Sequence, residues 1–132
     1  MKRDRGSATV ETVVLVPVLV VLLSFALGCG RWVQAQITVR NAADQAARAA
    51  SMVSAARMER VGTVNAGRHL VTSNSACVRA TADVSLVRSG SISYVRAVAR
   101  CRVDFTGVLG VFGLPRHVSA TSTEVIDVFT FR

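Results

Sequence analysis

The sequence predicts an α+β protein in which a long N-terminal helix packs on a small antiparallel sheet of about three strands. The first observation is an uncharged apolar run near the N-terminus. The second is an alanine-rich stretch of helical periodicity after it, and the third is a two-residue period that begins at Cys77. The first half of the helix is apolar all round and the second half is amphipathic, so we expect only the second half to cover the sheet.

The apolar run Thr12–Gly30 contains 19 residues and no charged side chain. As a helix it would be about 28 Å long, close to the ~30 Å hydrocarbon core of a bilayer. We therefore predict a transmembrane helix over residues 7–30, preceded by a basic leader over residues 1–6. The cations of the leader favour a cytoplasmic N-terminus, with the C-terminal domain outside the cytoplasm.

Two other interpretations of this N-terminus stay open. A cleaved secretory signal would have an unusually long apolar region here, and no A-x-A-like site follows it. Cys29, near the end of the run, is also compatible with lipidation. A small thiol buried at the membrane boundary is the simpler interpretation.

Glu11 lies at the mouth of the predicted span. A carboxylate well inside a membrane helix costs on the order of 2.5–3.5 kcal/mol on insertion scales. Such a residue is a functional hypothesis by default, and Glu11 is our candidate carboxylate. Pro17, within the span, is expected to bend the helix because proline lacks the amide donor and crowds the preceding turn.

The helical pattern continues past Arg31, and we predict one helix from about Ser7 to Arg57. An apolar stripe with spacings of seven, four, three, four and three residues would face the sheet: Trp32, Val39, Ala43, Ala46, Ala50 and Val53. Asp44 and Arg48 stand at i and i+4, which favours an ion pair. A weaker pattern over residues 58–73 permits a short second helix, although Gly62 and Gly67 count against it.

Two strands are predicted from alternating side chains on either side of Ser89-Gly90. A hairpin that turns there would pair Ala82 with Ala97 and Val84 with Val95, so that both apolar faces coincide. A third strand is expected from Val118 to Phe129. We accordingly assign residues 31–75 to an extracytoplasmic helical segment and residues 76–132 to a small β-sheet domain.

Cys77 and Cys101 fall in the part predicted to lie outside the cytoplasm, where thiols oxidise. A disulfide between them would tie together the first two strands. In the register above, Cys77 points to the opposite face from Cys101. The bridge therefore requires Cys77 to precede the strand or to stand beside a β-bulge.

The charge pattern suggests no catalytic or metal site. The net charge is +8, but the arginines are spread through the chain without interleaved aromatic residues. His69 and His117 are isolated, and neither Cys77 nor Cys101 has a second ligand at zinc-site spacing. We predict no enzyme, no cofactor and no metal, and we regard nucleic-acid binding by the basic domain as a weaker alternative.

The N-terminal residues carry a family resemblance. Gly6-Ser-Ala-Thr-Val-Glu11, opening an apolar helix, is similar to the processing motif of type IV prepilins, although Thr12 stands where an aromatic residue often follows the glutamate. With Pro17, Gly30-Arg31 and the alanine-rich run 41–50, residues 5–51 resemble the TadE-like family, the pseudopilins of tight-adherence (Flp) pilus systems. The closing strand from Val118 is similar as well.

The resemblance implies a pseudopilin or minor pilin of a tight-adherence pilus. A prepilin peptidase would cut after Gly6 and leave Ser7 as the new N-terminus, one helical turn from Glu11. The expected partners are that peptidase, other pilin subunits that pack through the N-terminal helix, and the pilus assembly platform. The expected location is the bacterial membrane, as a single span. The alternatives are a membrane-anchored module that binds DNA or an envelope polymer, and an envelope protein with a simple anchor.

Overall fold

The computed structural model describes residues 7–72, 77–90, 92–103 and 116–126. Among these residues, side chains are described from residue 10 onwards, except that of residue 72. Within these residues two helices precede three strands. They are α1 (Ser7–Ser51), α2 (Ala55–Thr72), β1 (Cys77–Ser89), β2 (Ile92–Val103) and β3 (Arg116–Val125). The strands form one antiparallel sheet in the order β1-β2-β3. The predicted α+β class, with a long helix on a three-stranded sheet, is confirmed.

Helix α1 is continuous over 45 residues, which corresponds to a length of about 67 Å. Its predicted end at Arg57 is wrong, because the helix stops at Ser51. The chain turns over residues 52–54, and α2 then runs back along α1. The Ser54 carbonyl accepts hydrogen bonds from the amides of Arg57 (2.9 Å) and Met58 (3.1 Å), so Ser54 is the N-cap residue of the second helix.

Helix α2 exists because it buries an apolar face. Met58, Ala66 and Leu70 are at most 4% exposed, against α1 on one side and the sheet on the other. In the sheet, α1 lies over β2 and β3, whereas α2 covers β1. Because α1 packs against α2 as well as against the sheet, its buried face is wider than the predicted stripe and includes Ala35, Ala42 and Ala47.

The pairing of β1 with β2 keeps the predicted faces but not the predicted partners. Ala82 pairs with Ala99, and Val84 pairs with Ala97. The loop lies one residue later than predicted, because Ser89 pairs with Ile92 and Gly90 takes the positive φ of 61°. A shift of two residues leaves every side chain on the same face. The inner face of β2 is therefore buried as expected: Val95, Ala97, Ala99, Cys101 and Val103.

Strand β3 is shorter than predicted within the described residues. It starts at Arg116 and ends at Val125, and the predicted residues 127–129 lie outside the described part of the chain. Ile126, just beyond the strand, is 4% exposed, and its amide donates a hydrogen bond of 3.0 Å to the Ser93 carbonyl. This contact fixes the end of β3 against the start of β2.

The core consists of two clusters stacked along α1. In the first cluster, Ala35 and Val39 of α1 pack with Cys101, Val103 and Val118, which lie at one end of the sheet. In the second cluster, alanines of the last turns of α1 pack with the other half of the sheet: Ala46, Ala47, Ala50, Val84, Val95 and Ala97. The first cluster is thus the one nearer to the apolar half of α1.

Gly62 is the point of closest approach between α2, β1 and α1. A Cβ atom there would lie 2.6 Å from Cγ2 of Val84 and 3.3 Å from the carbonyl oxygen of Ala46. Valine is stiff about χ1 and the second contact is backbone, so neither neighbour can yield easily. A glycine that weakens the helix pattern in sequence is therefore required by packing.

We expect Gly62→Ala to destabilise the domain by about 1–3 kcal/mol, because overpacking outweighs the gain in helix propensity. Gly67→Ala is the matched control: it lies in the same helix, and nothing comes within 4 Å of its Cβ position. That variant should gain up to about 1 kcal/mol. Denaturant unfolding of the full chain in detergent measures both. Equal stabilisation by the two substitutions would contradict the packing at Gly62.

Candidate functional site

The first half of α1 is exposed and apolar. Every large apolar side chain from Val10 to Leu27 is between 48% and 69% exposed, and the most apolar 18-residue stretch has no buried residue. The helix is long and apolar enough to cross a membrane. An exposed apolar surface of this extent requires lipid or another protein as its surroundings.

Ser24 is a polar side chain within this apolar half. Its hydroxyl donates a hydrogen bond of 2.8 Å to the carbonyl of Val20, one turn earlier in the same helix. The bond satisfies the hydroxyl without water, as a hydrocarbon environment demands. Pro17 lies inside the same helix. The bend expected at Pro17 stays a prediction.

The candidate carboxylate, Glu11, is exposed on the first turns of α1 among exposed valines at positions 10, 13 and 14. Ser7, the predicted new N-terminus, is the first residue of the helix, four residues before Glu11. That separation is one helical turn, or about 6 Å along the axis. Gly6, the predicted cleavage residue, lies outside the described residues.

The change from exposed to packed helix occurs directly after the predicted span. Gly30 and Arg31 are exposed, Trp32 is half-buried against the first core cluster, and Ala35 is fully buried. A half-buried tryptophan two residues after an apolar span is typical of a membrane–water interface. The thiol of Cys29 is exposed and unpaired with another cysteine in the described residues. Both interpretations of this residue, a thiol buried at the membrane boundary and a lipidation site, stay predictions.

The far end of α1 is attached to the sheet by an ion pair that the sequence pattern did not indicate. Nε of Arg48 lies 3.4 Å from Oε1 of Glu124 on β3. Arg48 therefore pairs with Glu124, a residue distant in sequence, and not with Asp44, the expected partner. Both side chains are more than a third exposed, so the pair contributes little to stability and mainly orients the helix.

The predicted disulfide is present. Cys77 and Cys101 are bonded with a Cα–Cα distance of 5.6 Å, and Cys101 is 1% exposed within the first core cluster. The register of β1 shifts between Cys77 and Arg79, so that Cys77 pairs with Val103 and Ala80 pairs with Cys101. This bulge beside Cys77 is one of the two arrangements that the bridge required. The predicted register would have placed Val78 opposite Cys101, and the bulge instead leaves Val78 67% exposed.

No group of three or more metal-ligating side chains occurs among the described residues. A shallow depression on the sheet surface is lined by Tyr94, Thr123, Glu124 and Val125, without a nucleophile next to a base. The prediction of a protein without enzymatic activity, cofactor or metal stays a prediction.

A model of a known protein family matches part of the chain, over the helix just described. Residues 6–48 are similar to the TadE-like protein family. The TadE-like segment covers about a third of the chain: it begins at the predicted cleavage residue and ends in the packed half of α1. The resemblance stated from the sequence is thus confirmed for this segment. No curated protein and no solved structure shows a significant similarity to the chain.

The match includes both the exposed apolar half of α1 and most of its buried half, but not α2 or the sheet. The matched segment therefore contains both a half that packs on the sheet and an apolar half that this chain leaves exposed.

Proposed function

We propose that this protein is a pseudopilin or minor pilin-like subunit that takes part in the assembly of a tight-adherence pilus. The observation that carries the proposal is the uninterrupted helix from Ser7 to Ser51, TadE-like over most of its length, with an exposed apolar half that bears one carboxylate, Glu11. A subunit with this shape can be held in a membrane and can pack against neighbouring helices through the same surface.

Cleavage after Gly6 gives the carboxylate a partner. The new α-ammonium at Ser7 would lie one turn from Glu11, where it offsets the charge on the same subunit or on a neighbour. Because a charge in a low-dielectric environment is strongly disfavoured without a partner, this pairing would fix the axial position of one helix relative to the next.

The proposal assigns partners and a location. A prepilin peptidase removes residues 1–6, other pilin or pseudopilin subunits pack against the apolar half of α1, and an assembly platform moves the subunit. The chain crosses the bacterial membrane once, with its N-terminus in the cytoplasm and the sheet domain outside, in the membrane or in the pilus.

N-terminal sequencing of the chain purified from its native membrane tests the proposal. The expected first residue is Ser7, and Gly6→Asp should leave the chain uncut, because a charged side chain would occupy the peptidase site. Asp4→Asn is the matched control: it changes the leader next to the site and should still give Ser7. A mature wild-type chain that begins at Met1 would contradict the proposed processing.

A further inference from the structure

The arginines of the sheet are concentrated at one end of the domain. Arg79 of β1 and Arg102 of β2 are register partners, and Arg102 also pairs with His117 of β3. Arg116 begins β3 opposite Val103 in the last pair of the sheet. All four side chains are exposed. We name Arg79, Arg102, Arg116 and His117 the basic rim.

The basic rim lies at the level where α1 leaves its apolar half. The residues next to the rim in β2 and β3 belong to the first core cluster: Cys101, Val103 and Val118. They pack there with Ala35 and Val39 of α1. Ala35 is five residues after Gly30, a rise of about 7.5 Å. If residues 7–30 span a bilayer, the rim therefore faces the headgroups, within reach of arginine side chains whose stems extend towards the surface.

The rim has no carboxylate to balance it in the described part of the chain. The two described ion pairs use Arg48 with Glu124 and Arg100 with Asp83, and neither includes a rim arginine. Residues 104–115, which join Val103 to Arg116 and lie outside the described residues, add one carboxylate and six large apolar side chains by sequence. The rim keeps a net positive charge with Asp104 counted.

Directly opposed like charges destabilise a sheet, and the pairing of Arg79 with Arg102 is such a case. An anion between the two guanidinium groups would remove this repulsion. Phosphate is well suited, because arginine presents paired donors that match its oxygens.

We propose that the basic rim binds the acidic phospholipid headgroups of the membrane that α1 crosses, and so sets the height and orientation of the sheet domain on the bilayer. The proposal depends on the membrane anchoring in the proposed function. The observations that carry it are the position of the rim next to the predicted span and its uncompensated charge. Basic residues near an acidic surface each contribute about a fivefold change in binding.

The test uses the full chain in phosphatidylcholine vesicles, with either brominated phosphatidylglycerol or brominated phosphatidylcholine added in increasing fractions. Trp32 is the only tryptophan in the sequence and packs against the core cluster beside the rim. Bromine quenches indole fluorescence at short range, so the quenching of Trp32 measures which lipid lies next to this end of the domain.

We expect the wild type to prefer the acidic lipid by about fivefold or more in ~0.1 M salt, with a smaller preference as salt screens the charges. The triple variant R79Q/R102Q/R116Q should retain less than about a twofold preference. The matched control R57Q/R60Q/R88Q removes three exposed arginines from the opposite end of the domain and should keep the wild-type preference.

A rim variant that keeps the preference, or a control variant that loses it equally, would overturn the proposal. Arg102→Gln alone provides a second test if the triple variant does not fold, and its preference should lie between that of the wild type and that expected of the triple variant. Duplex DNA added to pure phosphatidylcholine vesicles tests another ligand of the basic rim. Rim-dependent DNA binding without a lipid preference would also overturn the proposal. Alkaline extraction of the vesicles tests the membrane anchoring separately from lipid binding by the rim, because a chain that is extracted refutes the anchoring itself.

Discussion

A Glu11→Ala chain is expected to remain in the membrane but to leave cells without pili. Glu11 is exposed among exposed apolar side chains, so its removal eliminates an insertion cost, which reaches about 2.5–3.5 kcal/mol for a charge at the centre of a span and is smaller at its mouth. Membrane anchoring should therefore be at least as strong as in the wild type. Subunit packing should lose a charge-assisted contact worth about 1.5–3 kcal/mol, or roughly 10- to 150-fold in affinity at each interface.

The experiment compares variants in cells that lack the native chain. Pili are counted by electron microscopy, and anchoring is measured as the fraction of chain that resists alkaline extraction. Glu11→Gln keeps the size of the side chain without its charge and should also fail to support pili. Glu59→Ala is the control, because Glu59 is an exposed acid on α2. Normal pilus numbers with Glu11→Ala would refute a role of this charge in assembly.

Glu11→Ala is expected to keep or strengthen membrane anchoring and to weaken subunit packing, and these opposite directions distinguish a pilin from a simple anchor. If the N-terminal helix were a simple anchor, removal of Glu11 would be neutral or favourable in every assay. Only a protein whose helix packs in register with other helices would lose function while its membrane anchoring improves.

The helical part of the fold was predictable in kind but not in its boundary. The apolar run and the alanine stripe follow from periodicity, and both are present in α1. The turn over residues 52–54 has no glycine or proline, and helix formers lie on both sides of it. Its position is set by tertiary packing, since folding back lets Met58 and Leu70 become buried. Ser54, an N-cap residue type before two alanines, was the available signal.

The sheet shows what a two-residue period can and cannot determine. Alternation assigns each side chain to a face, and the faces of Val84, Val95 and Ala97 were predicted correctly. A slip of two residues preserves all faces, so the pattern cannot select between the predicted and the observed register. The conformation of Gly90 in the loop makes that selection.

The candidate sites also divide into those that the sequence pattern shows and those that depend on the fold. Glu11 and the two bonded cysteines are visible in sequence because each departs from its local pattern. Arg79 and Arg102 are 23 positions apart and become neighbours only through the register of β1 with β2. The need for glycine at position 62 likewise depends on Val84, which a helical pattern does not include.

Removal of the disulfide is expected to have the largest effect on stability. The bridge joins residues 24 positions apart, and closing a loop of that size contributes roughly 3 kcal/mol through the entropy of the unfolded chain. Cys77→Ala in a Cys29→Ala background is the cleanest variant, because it leaves Cys101 as a buried thiol, which cores tolerate. For a domain of about 100 residues, the melting temperature should fall by about 10–20 °C.

The loss should begin at a defined place in the fold. Cys77 stands before the bulge, and Val78 is 67% exposed, so the start of β1 has little apolar packing to hold it without the bond. Hydrogen exchange of the full chain in detergent should therefore show lost protection over residues 77–81 before the rest of the sheet. Thermal melting of the same samples gives the global effect, and Cys29→Ala alone should melt as the wild type. If Cys77→Ala melted within about 2 °C of that control, packing of β1 against α2 would be sufficient to hold the strand, since the bridge would then add no measurable constraint.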